Sequence, residues 1–280
     1  MILDGKVVAA SIKEQLKEEI DAAVANGSRK PRLVIISVGD DPASKVYVRN
    51  KMKAAEEVGI DTFHYIFKET DSPADIKYYI HNLNWSENVD GIMVQLPLPK
   101  GWDERAIIDA IDPAKDVDGL TTTNIGRLRS GQDCLKPCTA QGIIDLCKYY
   151  DVELDRKDVT IVGRSNIVGK PLADLMMAEG ATVTQCHSHT RDLEVDTTRA
   201  EILVSAIGKP KFITDDYVGF GAIVIDVGIN RDENGKLCGD VDYDDVWVKT
   251  RGITPVPGGV GPMTVAELMK NVVIVWRKEG

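Results

Sequence analysis

Two kinds of hydrophobic pattern alternate along the chain. Short unbroken apolar runs stop at glycine or proline, and longer stretches with apolar positions three or four apart fill the gaps between them. The pattern predicts a helix over 6–25, a buried strand over 32–38 ended by Gly39, and a helix over 44–58 closed by Gly59. A strand over 61–67, a helix opened by Ser72-Pro73, a strand over 91–96 and a helix after Asp103 follow. Residues 112–138 read as a loop region. The alternation then resumes, with helices over 142–150 and 171–179 and strands over 159–162, 181–185, 202–207 and 222–227. A last helix is expected to open on the capping box Thr264-Val-Ala-Glu267. Strands alternating with helices predict an α/β fold. Two such series predict two lobes with parallel-type sheets around a cleft.

Charge narrows the partners. Lys and Arg number 34 against 44 Asp and Glu, a net charge of −10 over 280 residues. Phosphate neutralisation needs a basic face, so no nucleic acid and no membrane surface is expected as a partner. No apolar run approaches the ~20 residues that span a bilayer. The N-terminus carries Asp4 and then mixed charge, unlike a signal peptide. A cytoplasmic location is expected, or a mature form already stripped of a targeting segment. Five scattered cysteines suit reduced thiols. Cys186-His187-Ser188-His189 is the one stretch inviting a metal, but alternating strand faces separate the cysteine from the histidines, so no metal site is expected.

Gly163-Arg-Ser-Asn-Ile-Val-Gly169-Lys-Pro171 lies between a predicted strand and a predicted helix. Glycine there admits a pyrophosphate close to the backbone, and the helix start behind it offers free N–H groups. The spacing meets the general dinucleotide fingerprint only loosely, and an ordinary strand-to-helix loop is the alternative. At the end of the next strand no carboxylate occurs before Asp192, whereas Ser188 and Arg164 can both meet a phosphate. That favours NADP over NAD; the alternative leaves both as surface residues.

Tyr47 and Lys51 stand four apart on one helix and share a face. Gln95 ends a buried strand ahead of Pro97 and Pro99, at the sheet edge where open α/β folds bind ligands. Lys115-Asp-Val-Asp-Gly119 can bring Asp116 and Asp118 to the same edge. Pro255-Val-Pro-Gly-Gly-Val-Gly-Pro262 lets backbone approach a flat ligand, or serves as a rigid connector. A lysine for proton transfer, a stacking tyrosine and a carboxylate suggest a planar heterocyclic substrate. These residues alone do not name it.

Taken in order, Tyr47-Val-Arg-Asn-Lys51, Val94-Gln-Leu-Pro-Leu-Pro99, Lys115–Gly119, Gly163–Gly169, Asp226-Val-Gly-Ile-Asn230 and Pro255–Thr264 resemble the bifunctional methylenetetrahydrofolate dehydrogenase/methenyltetrahydrofolate cyclohydrolase family over nearly the whole chain. The resemblance implies NADP-dependent oxidation of 5,10-methylenetetrahydrofolate followed by hydrolysis to 10-formyltetrahydrofolate. It implies a catalytic, folate-binding domain over 1–138 completed by a C-terminal helix over 264–280, and an NAD(P)-binding Rossmann-like domain over 139–263. Lys51 is implied as the central catalytic residue, tuned by Gln95, with Tyr47 stacking on the folate and Asp118 binding the pterin edge. Val94, Leu96, Pro257, Gly258, Gly259, Val260 and Gly261 are implied to line the folate site. Gly163, Arg164, Ser165, Ser188 and Ile229 are implied to hold the dinucleotide, and a homodimer is implied. His189 departs from the pattern, standing where Arg or Lys often follows the serine.

Overall fold

The computed structural model describes residues 1–279, which fall into two compact units. One comprises Ala10–Cys138 with Val265 onward, the other Met1–Ala9 with Thr139–Thr264. The resemblance groups residues 1–9 with the first domain, but they fold with the second unit. There the Leu3 N–H donates to the Ile253 carbonyl (2.9 Å) and the Ile253 N–H donates to the Met1 carbonyl (3.1 Å).

The first unit contains most of α1 (Gly5–Ala25), then β1 (Arg32–Val38), α2 (Pro42–Val58), β2 (Asp61–Phe67), α3 (Pro73–Asn84), β3 (Gly91–Val94), α4 (Glu104–Ile108) and α5 (Thr122–Arg129). Its three strands form a parallel sheet in the order β2-β1-β3. β1 is buried from Leu33 to Val38, and apolar there except for Ser37, because both its faces are covered. Leu33 and Ile35 pack with α1, α2 and the C-terminal helix, while Val34, Ile36 and Val38 pack with Ile76, Ile80 and Ile107 from α3 and α4. Asp41 caps α2 by accepting from the Ser44 N–H (2.7 Å), and Ser72 and Asp75 form a capping box on α3.

Helix α5 corrects the expectation of an unbroken loop over 112–138. Its sequence is poor in helix formers, with two threonines and a glycine, so no local signal marks it. Thr121 caps it, and buried Asn124 fastens it by donating to Asp116 Oδ2 (2.9 Å) and the Pro113 carbonyl (2.9 Å).

The second unit contains α6 (Cys138–Tyr149), β4 (Asp158–Val162), α7 (Gly169–Ala178), β5 (Thr182–Cys186), α8 (Leu193–Thr198), β6 (Ile202–Ser205), β7 (Ile223–Asp226), a small hairpin of β8 (Asn230–Arg231) and β9 (Leu237–Cys238), α9 (Tyr243–Val246) and β10 (Gly252–Ile253). The final helix, α10, spans Val260–Glu279. The five-stranded parallel sheet runs β10-β7-β6-β4-β5. The chain winds outward from β4 to β5, then returns to the other side of β4 with β6. That reversal makes a crevice at the carboxyl ends of β4 and β6, where doubly wound sheets hold ligands.

The expected capping box at Thr264 does not form, because α10 starts a full turn earlier. Pro262 occupies the third position of α10, where its missing N–H costs nothing. Thr264 therefore lies inside the helix, and its hydroxyl meets Thr139 Oγ1 (3.1 Å) and the Val260 carbonyl (3.4 Å).

Candidate active site

In the first unit, α2 presents half-buried Lys51 and exposed Tyr47 one turn apart. Gln95 follows directly on β3, and its N–H continues the sheet by donating to the Ile36 carbonyl (2.7 Å). Its side-chain Nε2 donates to the Leu96 carbonyl (2.7 Å), which turns Oε1 toward Lys51. Lys51 Nζ donates to that oxygen at 3.0 Å. A lysine ammonium has three donors. Gln95, being neutral, occupies one of them without cancelling the charge.

Asp118 is half-buried on the loop between α4 and α5. The loop has its own latch. Val117 is fully buried, and its carbonyl accepts from Asn271 Nδ2 (2.8 Å) and Cys138 Sγ (3.2 Å). Asn271 Nδ2 also donates to the Lys136 carbonyl (3.0 Å). Asp116 turns inward: buried, it accepts from the Thr121 N–H (2.8 Å) and Asn124, and burial raises its pKa. The two acids thus separate, Asp116 buried and holding the loop and Asp118 half-buried. Gly119 (φ +71°) is required next, since a Cβ there would lie 2.4 Å from the Lys136 carbonyl carbon. Both Asp118 and Lys51 act on the Cys138 thiol. Burial pushes that thiol far up, the Asp118 carboxylate pushes it further, and the Lys51 ammonium opposes. Lys51, Gln95, Asp118 and, by helix spacing, Tyr47 therefore share one neighbourhood. The Val94 side chain is buried in the core with Val34 and Ile36. Leu96 is half-buried.

In the second unit, Gly163 ends β4 at φ +132°, where a Cβ would lie 2.3 Å from the Ala206 carbonyl oxygen after β6. A Cβ on Gly169, the first residue of α7, would lie 2.3 Å from the Gly163 oxygen. The loops after β4 and β6 therefore close on each other at the crevice, with backbone unscreened by side chains. Val168 gives α7 no side-chain cap. Ser165 Oγ accepts from the N–H groups of Val168 (3.2 Å) and Gly169 (3.4 Å), which leaves its own proton free to donate. Arg164 and Ser188 are exposed, and no carboxylate stands between Cys186 and Asp192. A dinucleotide's phosphates fit this arrangement of close backbone, helix start and free donors.

Two buried acids shape the same edge. Asp240 accepts from the N–H groups of Ile207 (2.8 Å), Gly208 (3.3 Å) and Lys209 (3.0 Å), from Ser205 Oγ (3.2 Å) and from Asn230 Nδ2 (2.8 Å). Asp226 accepts from the N–H groups of Gly228 (2.9 Å), Asp240 (3.0 Å) and Val241 (2.9 Å). Burial pushes the Asp226 carboxyl up to about 7, against those three N–H bonds and with help from Asp240. Ile229 is exposed beside this centre, and a Cβ on Gly261 would touch it at 3.6 Å. Gly258, Gly259 and Val260 are buried, and Pro257 is exposed. Gly5 packs so tightly on this run that a Cβ there would overlap the Gly259 carbonyl, and the Lys6 N–H donates to the Gly258 carbonyl (3.2 Å). Among the described residues no three His, Cys, Asp or Glu gather as a metal site.

Residues 3–118 match the profile of the tetrahydrofolate dehydrogenase/cyclohydrolase catalytic domain, and residues 137–280 match that family's NAD(P)-binding domain. The chain belongs to the tetrahydrofolate dehydrogenase/cyclohydrolase family. It is 53% identical over 272 residues to the bifunctional protein FolD of Agathobacter rectalis, covering 97% of each chain. The crystal structure of the bifunctional FolD enzyme from Campylobacter jejuni superposes with a TM-score of 0.97 at 44% identity, covering 99% of each chain. The Trypanosoma brucei FolD structure, complexed with NADP cofactor and inhibitor, gives 0.94 at 36% identity, covering 99% of this chain and 97% of that one.

Within this family member, sequence reasoning missed Asn124, Asn271 and Asp240. Asn271 carries a usable signal: it is the lone uncharged polar residue in the otherwise apolar run from Val272 back to Leu268, apart from Lys270. A polar side chain on a core-facing helix stripe must find a partner.

Proposed function

We infer that this family member carries out two consecutive reactions on one reduced folate. The first is NADP-dependent oxidation of 5,10-methylenetetrahydrofolate to the 5,10-methenyl cation. The second is hydrolysis of that cation to 10-formyltetrahydrofolate. The observation that carries the reading is the 3.0 Å Lys51–Gln95 bond at the end of β3.

The folate's one-carbon unit loses a hydride in the first reaction, and the bound dinucleotide supplies the acceptor. In the second, water adds to the cationic carbon and gives up both of its protons, one to solvent and one to N5 as the carbon–N5 bond breaks, which leaves the formyl group on N10. One proton is released overall. Lys51 Nζ is the group that passes protons in this step. Gln95 orients it and, lacking charge, leaves it free of an ion pair. Tyr47 offers its exposed ring to the flat pterin, and Asp118 accepts from the amino-pyrimidine edge. Leu96 and the Pro257, Gly258, Gly259, Val260 and Gly261 run line the folate, Val94 contributing backbone alone. Gly163, Arg164, Ser165, Ser188 and Ile229 hold the dinucleotide. Exposed Arg164 and Ser188 favour the 2′-phosphate of NADP over NAD. The catalytic domain is 1–138 with the C-terminal helix, and the dinucleotide domain is 139–263 joined by residues 1–9. The enzyme works as a homodimer in the cytoplasm, in keeping with five free thiols and an acidic surface.

The test follows both reactions spectrophotometrically in Lys51→Met. Hydrolysis is expected to be lost while the variant still binds NADP; hydrolysis at the native rate would remove Lys51 from the mechanism. Comparable kcat/KM with NAD and NADP would overturn the coenzyme assignment.

A further inference from the structure

Strands β4 and β5 end side by side. Val162 pairs with Cys186, and the Gly163 N–H donates to the Cys186 carbonyl (2.9 Å). Gln185 Nε2 donates back to the Gly163 carbonyl (3.2 Å). Arg164 and Ser188 therefore hold matching positions on adjoining loops, each two residues past a paired one.

The loop after β5 is a tight turn. The Thr190 N–H donates to the His187 carbonyl (2.9 Å), and the His187 N–H donates to Thr190 Oγ1 (2.8 Å). The His189 N–H donates to His187 Nδ1 (3.1 Å). A backbone N–H can only donate, so this Nδ1 carries no hydrogen and the His187 proton sits on Nε2. A second proton on His187 would take the lone pair that the His189 N–H uses. The turn therefore holds His187 neutral.

His189 is placed the other way. Only its backbone serves the turn, and its exposed ring makes no hydrogen bond among the described residues. The two rings stand 5.9 Å apart at 68°. Of the pair, His189 alone can gain a proton without breaking the turn. Imidazole is the side chain whose ordinary titration falls between about pH 5 and 8.

The charged neighbours set the balance. Arg164 from the loop after β4 and Arg191 from the same loop as His189 oppose a proton on it. Asp192 favours one, and it is exposed. The acids of α8 are engaged elsewhere, Asp196 against Cys186 Sγ (3.8 Å) and Glu194 against Tyr217. From α7 come Lys170, held by Asn166 Oδ1 (2.8 Å), and Asp174 a turn further in. A phosphate lodged between Arg164 and Ser188 adds close to two negative charges and turns this balance toward the protonated ring.

We propose that His189 is a proton-linked determinant of coenzyme choice. It takes up a proton from solvent when the 2′-phosphate of NADP settles between Arg164 and Ser188, and it takes up none when NAD, which lacks that phosphate, binds. No covalent bond to the coenzyme forms or breaks. The proposal rests on the coenzyme assignment above and adds a third residue and its proton. Preference for NADP then weakens as pH rises from about 6 to 8, while NAD affinity stays level.

The test is titration calorimetry of the purified full chain with NADP and with NAD at about pH 7.5, in buffers of different ionisation enthalpy. The 2′-phosphate itself, with a second pKa of about 6, can only release a proton on meeting cations, so the sign identifies the source. Net proton uptake is expected with NADP and none with NAD. His189→Gln keeps the turn's N–H and is expected to abolish the uptake. It should also weaken NADP binding ~10-fold at about pH 6 and leave NAD binding unchanged. His189→Arg is expected to bind NADP equally well at about pH 6.5 and 8, with no uptake. Uptake that persists in His189→Gln, or its absence from the native protein, would overturn the role of His189 and leave Arg164 and Ser188 standing. Equal affinity for NAD and NADP across the pH range would overturn the coenzyme assignment and this proposal with it.

Discussion

The Lys51–Gln95 pair and the Asp226–Asp240 centre are both polar clusters at the carboxyl edge of a parallel sheet, yet they are built to opposite ends. Lys51 has one described hydrogen bond and is half-buried, so most of its donor capacity remains for a substrate. Asp240 is fully buried and accepts from five groups, so no capacity remains. A saturated buried carboxylate positions loops, here the turns after β6 and β7 that frame the crevice. An unsaturated, partly exposed cation keeps donors for a substrate, the part proposed above for Lys51. Hydrogen-bond saturation, more than residue type, separates scaffold from machinery in this molecule.

The hardest blow to that contrast is Asp240→Ala. Removing the acceptor leaves three part-buried backbone N–H groups, the buried Ser205 hydroxyl and the Asn230 amide without it, and the expected loss of folding stability is roughly 3–5 kcal/mol, measured by urea denaturation. Dinucleotide affinity should fall with it, since the loop over 206–209 loses its anchor. Gln95→Ala should do the reverse. Hydrolysis is expected to drop ~10²-fold, because a misplaced catalytic group costs about that much, while the urea midpoint stays near native. If Gln95→Ala unfolded the protein and Asp240→Ala did not, the contrast would be wrong.

Titration sharpens the comparison further. Asp226 is pushed up to about 7, whereas in the unfolded chain an Asp titrates at about 3.9. Between these values the folded state holds a proton that the unfolded state has released, so stability falls as pH rises from about 4 to 7. Asp226→Asn removes this proton. Its unfolding free energy should decline by ~2 kcal/mol less than the native protein's between pH 4 and 8, on the scale of about 1.4 kcal/mol per pKa unit discounted for the paired acids. The smallest effect is expected from Asn271→Leu, which leaves the Val117 and Lys136 carbonyls without this donor. A stability loss of about 1 kcal/mol is expected, since the Val117 carbonyl keeps its bond from Cys138 Sγ. The KM for folate should rise with it, because the loop carrying Asp118 is loosened. An unchanged KM would detach the latch from the site.

The sequence made the main strands legible because burial on both faces leaves few polar positions to confuse the reading. β1 and β3 are examples, with Leu33–Ile36 and Ile92–Val94 unbroken apolar runs. Tyr47, Lys51 and Gln95 were legible from helix spacing and a strand end. Helix α5 was illegible because its stability comes from Asn124 bonding Asp116 and not from its own residues. The start of α10 was misplaced because a capping signature at Thr264 competed with Pro262, and the tertiary path through Gly258 and Gly259 put the first turn earlier.

By itself the sequence determined the alternation of strands and helices, the glycines that let backbone close on backbone, and the motifs that mark the family. Those depend on neighbours within a turn or two. Only the tertiary structure decided that Asp116 faces inward while Asp118 does not, that Asn271 reaches Val117 across 154 residues, and that β2 stands at the sheet's edge with half its backbone unpaired. Each is a hydrogen bond made or left unmade between distant segments, and local pattern carries no information about which distant partner will close it.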